Sequence, residues 1–129
     1  MIVYRLAHPA SHAYVSKVPL GPYAFVPYGY ASDDDLDAIE AMAAAHNVDP
    51  GYHPGPHQDD GLDDRPNSWE FCGFATLRDL TRWFEGYLRP LGRAGFRLYM
   101  YDVPPSKVRV GRRQVLADLS SLAPLQRAA

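Results

Sequence analysis

FCGFATLRDLTRWF, residues 71–84, sets a strand directly against a helix. Trp69, Phe71, Gly73 and Ala75 alternate with Glu70, Cys72, Phe74 and Thr76, the two-residue period of a strand with a buried face. Thr76-Leu77-Arg78-Asp79 then fits the capping pattern in which a Thr hydroxyl accepts an N–H of the first helical turn. Leu77, Leu80, Phe84, Tyr87 and Leu88 return at helical spacing behind it. The stretch therefore predicts a strand over 69–75 that runs without a linker into a helix over 77–88.

Outward from this junction the signals alternate in the same way. IVYRLA (2–7) reads as a strand, rich in β-branched and aromatic residues. VPLGPYAFVPYGY (18–30) holds too much Pro and Gly for a helix and predicts an extended segment packing its aromatics into a core or pocket wall. Ser32 can cap a helix over about 33–46, with Asp33, Asp34 and Asp35 at its positive end and Leu36, Ile39 and Ala43 on one face. After the second helix, RPLGRAG (89–95) reads as a breaker and FRLYMYDV (96–103) as a strand. Residues 107–118 read as one bent strand or a hairpin about Gly111. The expected fold is α+β: a mixed, mostly antiparallel sheet with two main helices.

The chain has 129 residues, 47% hydrophobic and 22% charged, which suits a single domain able to bury a core without covalent or metal staples. Its one cysteine, Cys72, excludes an intramolecular disulfide and reads as a small core residue. No apolar run reaches the roughly 20 residues of a membrane span, and MIVYRLAH lacks the form of a signal peptide. The expectation is a cytoplasmic protein with no membrane partner. Net charge is −2, but residues 1–77 carry 3 basic and 11 acidic side chains, against 10 basic and 4 acidic in residues 78–129. Complementary halves within one fold explain this as readily as a phosphate-seeking surface does.

Asn47 to Ser68 forms a long loop with neither helical nor strand period, and such loops are functional or mobile. The expectation is that residues 50–67 are the most mobile internal segment. The loop brings His53 and His57 near Asp59, Asp60, Asp63 and Asp64, which are metal-ligand types. Pro54 and Pro56 exclude the helix that would set both rings on one side, so no metal is expected.

VYRLAH near the start, a strand ending in GFAT that feeds a helix, GFRLYMYDVP, and RRQVLAD near the end together resemble the core of ADP-ribosyltransferase-like domains. The chain is also similar to small phage and prophage proteins of this length, through its Tyr-Arg strand, Gly-Pro-Tyr segment, His-Pro-x-Pro loop and late Gln-Val strand. The first likeness implies NAD as cofactor and a fold of that type. It implies that Tyr4 and Arg5 on the first strand and Phe74 and Thr76 on the middle one bind the cofactor. Gln114, with Arg5, would occupy the catalytic positions. Gln114 can hydrogen-bond a ribose hydroxyl but brings no negative charge to steady an oxocarbenium ion. Asp118, about 13 Å further along a strand, is a poor substitute.

Three function classes follow. One is a phage accessory protein that binds a host protein or a nucleotide without strong catalysis. The second is an NAD-dependent ADP-ribosyltransferase acting on a macromolecule. The third, favoured least, is a nucleic-acid binder using Arg109, Arg112 and Arg113, against which stand the acidic first half and the lack of a recognised motif.

Overall fold

The computed structural model describes residues 1–14, 16–59, 61–62 and 66–128; the side chains of His57 and of residues 126–128 lie outside that description. The described residues form an α+β fold with two antiparallel sheets. One is built from β1 (Ile2–Ala7), β3 (Arg97–Asp102) and β6 (Gln126–Ala128), in the order β1-β3-β6. The other is built from β2 (Glu70–Gly73), β5 (Val115–Asp118) and β4 (Val108–Val110), in the order β2-β5-β4. A bridge between Tyr4 and Phe74, with N–H···O bonds of 2.8 Å each way, ties β1 to the end of β2. Every strand pair is antiparallel, so the expected mixed sheet is corrected to two purely antiparallel ones.

Alternation along β1 decides where its side chains go. Val3, Arg5 and Ala7 are buried on one face, while Tyr4 and Leu6 are half-buried on the other. Val3 and Ala7 join Tyr99, Tyr101, Val115, Ala117 and Leu119 in one core cluster. Tyr4 and Leu6 pack against a second, formed mainly by Ile39, Met42, Phe74, Leu80, Trp83, Phe84, Leu91 and Phe96. Gly73 sits where β2 passes closest to β1. A Cβ there would lie 2.6 Å from the Val3 side chain and 3.1 Å from Arg5 Cγ, so only glycine lets the strands approach.

The helices are α1 (Asp33–Asn47), α2 (Leu77–Trp83) and α3 (Leu88–Arg93). Ser32 Oγ accepts the Asp35 N–H at 3.1 Å and Thr76 Oγ1 accepts the Asp79 N–H at 3.0 Å, the two caps expected from sequence. The inward face of α1 differs from the expected one: Asp35, Ile39, Met42 and His46 are buried, whereas Leu36 and Ala43 are only half-buried. The single helix expected over 77–88 is two. Gly86 takes φ +88°, a left-handed turn that ends α2, and the chain starts again as α3. Pro90 does not break α3 because it stands in the first turn, where a backbone N–H has no helical acceptor.

Residues 107–118 resolve as the hairpin β4–β5 rather than one bent strand. The alternation expected over 69–75 fails at Phe74, which is buried next to buried Gly73, and Trp69 is 48% exposed. Cys72 is exposed, not a core residue. Ion pairs join the oppositely charged halves: Arg93 to Asp35 at 2.8 Å and Arg109 to Glu70 at 2.8 Å, the latter through a two-nitrogen fork. Among the described residues, no helix is long and apolar enough to cross a membrane.

Candidate functional site

Where β1 and β2 meet, α1, the end of α2 and residues 53–58 surround a cavity of about 430 Å³. Three residues picked out in the sequence converge on its wall, Arg5 from β1, Phe74 from just beyond β2 and Gln114 from just before β5. Tyr4 and Thr76 do not line it. Tyr4 packs into the helix-side core, and Thr76 is exposed and engaged as the cap of α2. Asp118 is also elsewhere, holding the N–H and hydroxyl of Ser120.

Arg5 is 6% exposed and shares its strand face with core residues, a position where an arginine needs a reason. Its Nε donates to Cys72 O and its Nη1 to Pro19 O, each at 2.8 Å, and its guanidinium lies over the Phe71 ring, 5.4 Å from the centroid. Among the described residues no carboxylate comes within ion-pair distance of it. Burial lowers its pKa from the ordinary value, opposed by the neighbouring Tyr101 and Cys72. An arginine remains charged in a protein, so the cavity wall carries a desolvated cation held by neutral acceptors only.

Gln114 is 5% exposed, and its Nε2 donates to Pro54 O at 2.7 Å. It does not face solvent, as a strand residue without a role would. Its place is set by Asp59, 3% exposed, whose carboxylate accepts the Arg113 N–H on both oxygens at 3.1 and 3.0 Å and the Gln114 N–H at 3.0 Å. Asp59 therefore clamps the loop onto the β4–β5 turn, rather than awaiting a metal. Asp60, Asp63, Asp64 and the His57 side chain lie outside the described residues. Much of the loop expected to be mobile is fastened: Pro56–Gln58 forms a 3-10 turn, Leu62 is 3% exposed, and His53 is bonded to α2. Positions 60 and 63–65 of that segment are outside the description.

The opposite wall is aromatic; the sequence predicts segment 18–30, which holds Tyr23, as core or pocket wall, but does not place His46 or Trp83 there. Tyr23, His46, His53, Trp83 and Phe84 all line the cavity with Phe74. Trp83 Nε1 donates to Tyr23 Oη at 2.8 Å, and Tyr23 Oη shares a hydrogen bond with His46 Nδ1. His53 bonds Asp49 Oδ2 through Nδ1 at 3.0 Å and Trp83 O through Nε2 at 2.8 Å. Its ring is thus held from both sides, between the start of the loop and the end of α2. It stacks on His46, with centroids 3.6 Å apart and planes 10° from parallel. Burial, then the charge of His53, depresses the His46 pKa from 6.5 to about 4, and Asp49 offsets this in part. Burial likewise raises Tyr23 from 10.0, so it stays a phenol. The one signal for His46 in the sequence is its place two helical turns beyond Ile39, on the inward face.

The basic residues near the end of the chain are partly consumed within the fold. Arg109 forks onto Glu70, and Arg113 lies over the Tyr52 ring at 5.0 Å. Among the described residues no group of three or more His, Cys, Asp or Glu side chains is placed to hold a metal ion.

A family model described as the Bacteriophage T4 Y00F protein matches residues 1–128. The chain belongs to that family. Neither a curated protein nor a solved structure matches it. Membership in the Y00F family agrees with the likeness to small phage proteins; none of the comparisons supports the likeness to ADP-ribosyltransferases.

Proposed function

We propose that this phage chain is an accessory protein whose cavity binds a nucleotide, with NAD the ligand that the ADP-ribosyltransferase-like motif order favours, and that it does so without strong catalysis. The observation carrying this reading is Arg5, a buried guanidinium with no carboxylate partner among the described residues, in one cavity with Phe74 and Gln114. Phosphate supplies the anion that such a cation lacks, through paired N–H···O bonds stronger than neutral ones. Aromatic walls and a few fixed polar groups are the usual make-up of a small-molecule site. Catalysis is weak on this account because Gln114 brings no negative charge to a developing oxocarbenium ion and its amide is already spent on Pro54 O.

The test is a thermal melt with and without millimolar NAD, since a ligand of the folded state raises Tm. Arg5→Met, which keeps the stem and removes the cation, is expected to abolish the shift. Gln114→Glu is expected to lower Tm without yielding NAD cleavage, because its carboxylate would face Pro54 O, now 2.7 Å from the amide nitrogen. An enzyme whose cleavage rises in that variant would favour the transferase reading instead.

Binding of a host protein is the second reading. Its own observation is a groove between residues 22–28 and α1, where Val26 and Tyr28 are 55% and 74% exposed beside Asp33 and Asp37.

A further inference from the structure

The groove between residues 22–28 and α1 has a volume of about 470 Å³, and its loop wall is pinned from behind. Pro27 is fully buried, and the Phe25 ring packs 4.8 Å from the His8 ring and 6.5 Å from that of Phe96. The Ala24 and Phe25 N–H groups both donate to Gly21 O at 3.1 Å, which closes the turn that leads into the wall. With these neighbours held, Val26 and Tyr28 stand outward, more than half exposed. An apolar wall already fixed in place loses little freedom when something docks on it.

The helix wall facing it is acidic. Asp33, Asp37 and Glu40 line the groove at spacings of four and three residues, which sets them on one face of α1. By the helical rise they follow one another at about 6 Å and about 4.5 Å along the axis. All three are exposed, and none has an ion-pair partner among the described residues. Asp33 is accounted for by the positive end of the helix, but that effect fades within the first turn and does not explain Asp37 or Glu40. No lysine or arginine stands in α1 to pair with them. Like charges at this spacing repel, a cost to the free helix that cations from a partner would remove.

We propose that this groove docks an extended segment of a partner protein in which lysine or arginine alternates with apolar residues. This rests on the host-protein reading above, names the chemistry of that partner, and is independent of the nucleotide. In an extended chain alternate side chains point to opposite sides, and residues two apart lie about 6–7 Å from each other, close to the spacing of Asp33 and Asp37. Basic side chains then meet the carboxylates of α1, while the residues between them pack on Val26 and Tyr28. Tyrosine is among the residues that carry most of the binding energy at interfaces. A nucleic acid or an anionic membrane is repelled by the same carboxylates.

Fluorescence anisotropy with the whole chain tests the assignment. The probe is a labelled peptide carrying Arg-Leu-Arg-Val-Arg between Gly-Ser ends, beside one with its arginines made contiguous and one with glutamate in their place. Wild type is expected to bind the alternating peptide best and the glutamate peptide not at all. Asp37→Asn combined with Glu40→Gln, at exposed positions where substitution leaves the fold intact, should weaken the alternating peptide about fivefold. Tyr28→Ser should weaken it about tenfold. No binding by wild type, equal binding of the alternating and contiguous peptides, or an affinity unmoved by Tyr28→Ser would overturn the assignment. A dimer in sedimentation equilibrium that the double variant dissolves would give the groove to a second copy and overturn it as well. Capture from host lysate separates this inference from the reading it rests on. A host protein held equally by wild type and the double variant keeps the host-protein reading and overturns the groove; one lost from the double variant and displaced by the alternating peptide supports both.

Discussion

Asp59→Ala would remove the acceptor that fastens residues 53–59 to the β4–β5 turn. The carboxylate takes three hydrogen bonds from two backbone N–H groups, those of Arg113 and Gln114, and is 3% exposed. Truncation leaves both donors without their partner in a place water reaches poorly. Each such group costs about 1–3 kcal/mol, and partial relaxation brings the pair to about 2–4 kcal/mol. At about 4 °C per kcal/mol for a domain of this size, the melting temperature should fall by roughly 8–16 °C. Asp59→Asn keeps one acceptor oxygen and should lose only about half as much. Circular-dichroism melts of the two variants beside wild type read the difference, and the same samples should show weaker ligand binding, because Gln114 and Pro54 share that wall. A drop below about 2 °C for Asp59→Ala would mean that the loop is not held by this residue, and the geometry assigned to the cavity wall would be wrong.

Gly73→Ala should cost about 1–3 kcal/mol in a denaturant melt, since its methyl would sit 2.6 Å from the Val3 side chain; a neutral result would show that β1 and β2 do not approach as described. The depressed pKa of His46 predicts an acid limb: the folded state resists protonation, so the stability due to the neutral ring is full above pH 6.5 and is lost as pH falls toward about 4. Melts across that window should slope more steeply for wild type than for His46→Phe, and identical slopes would contradict the stacked, buried pair. Asp35, held below its usual range by hydrogen bonds from Arg93, adds a loss at lower pH, where Asp35→Asn should flatten the curve.

Local patterns carried much of this fold. Ser32 and Thr76 announce their helices because a capping hydroxyl and the N–H that donates to it are neighbours in sequence, and β1 is legible from its residue types alone. The break at Gly86 was hidden because apolar spacing continues through Tyr87 and Leu88 while the backbone reverses, a matter of φ rather than of pattern. The alternation over 69–75 misled for a different reason: Phe74 turns into the helix-side core once its backbone pairs with Tyr4, a contact across 70 residues of chain. At the site, Arg5 and Gln114 were marked by the likeness to a family, but their burial comes from tertiary packing. Tyr23, His46, His53 and Asp59 stand among tyrosines, alanines, prolines and aspartates that look alike until the loop closes over α1. Their chemistry is created by contacts such as Tyr23 to Trp83, which no local window contains.

The most direct test is a crystal structure of the chain with NAD at millimolar concentration. The account predicts ligand density in the cavity between β1, α1 and residues 53–58, with a pyrophosphate oxygen within hydrogen-bond distance of the Arg5 guanidinium. An empty cavity, or NAD bound with its phosphates away from Arg5, would contradict it.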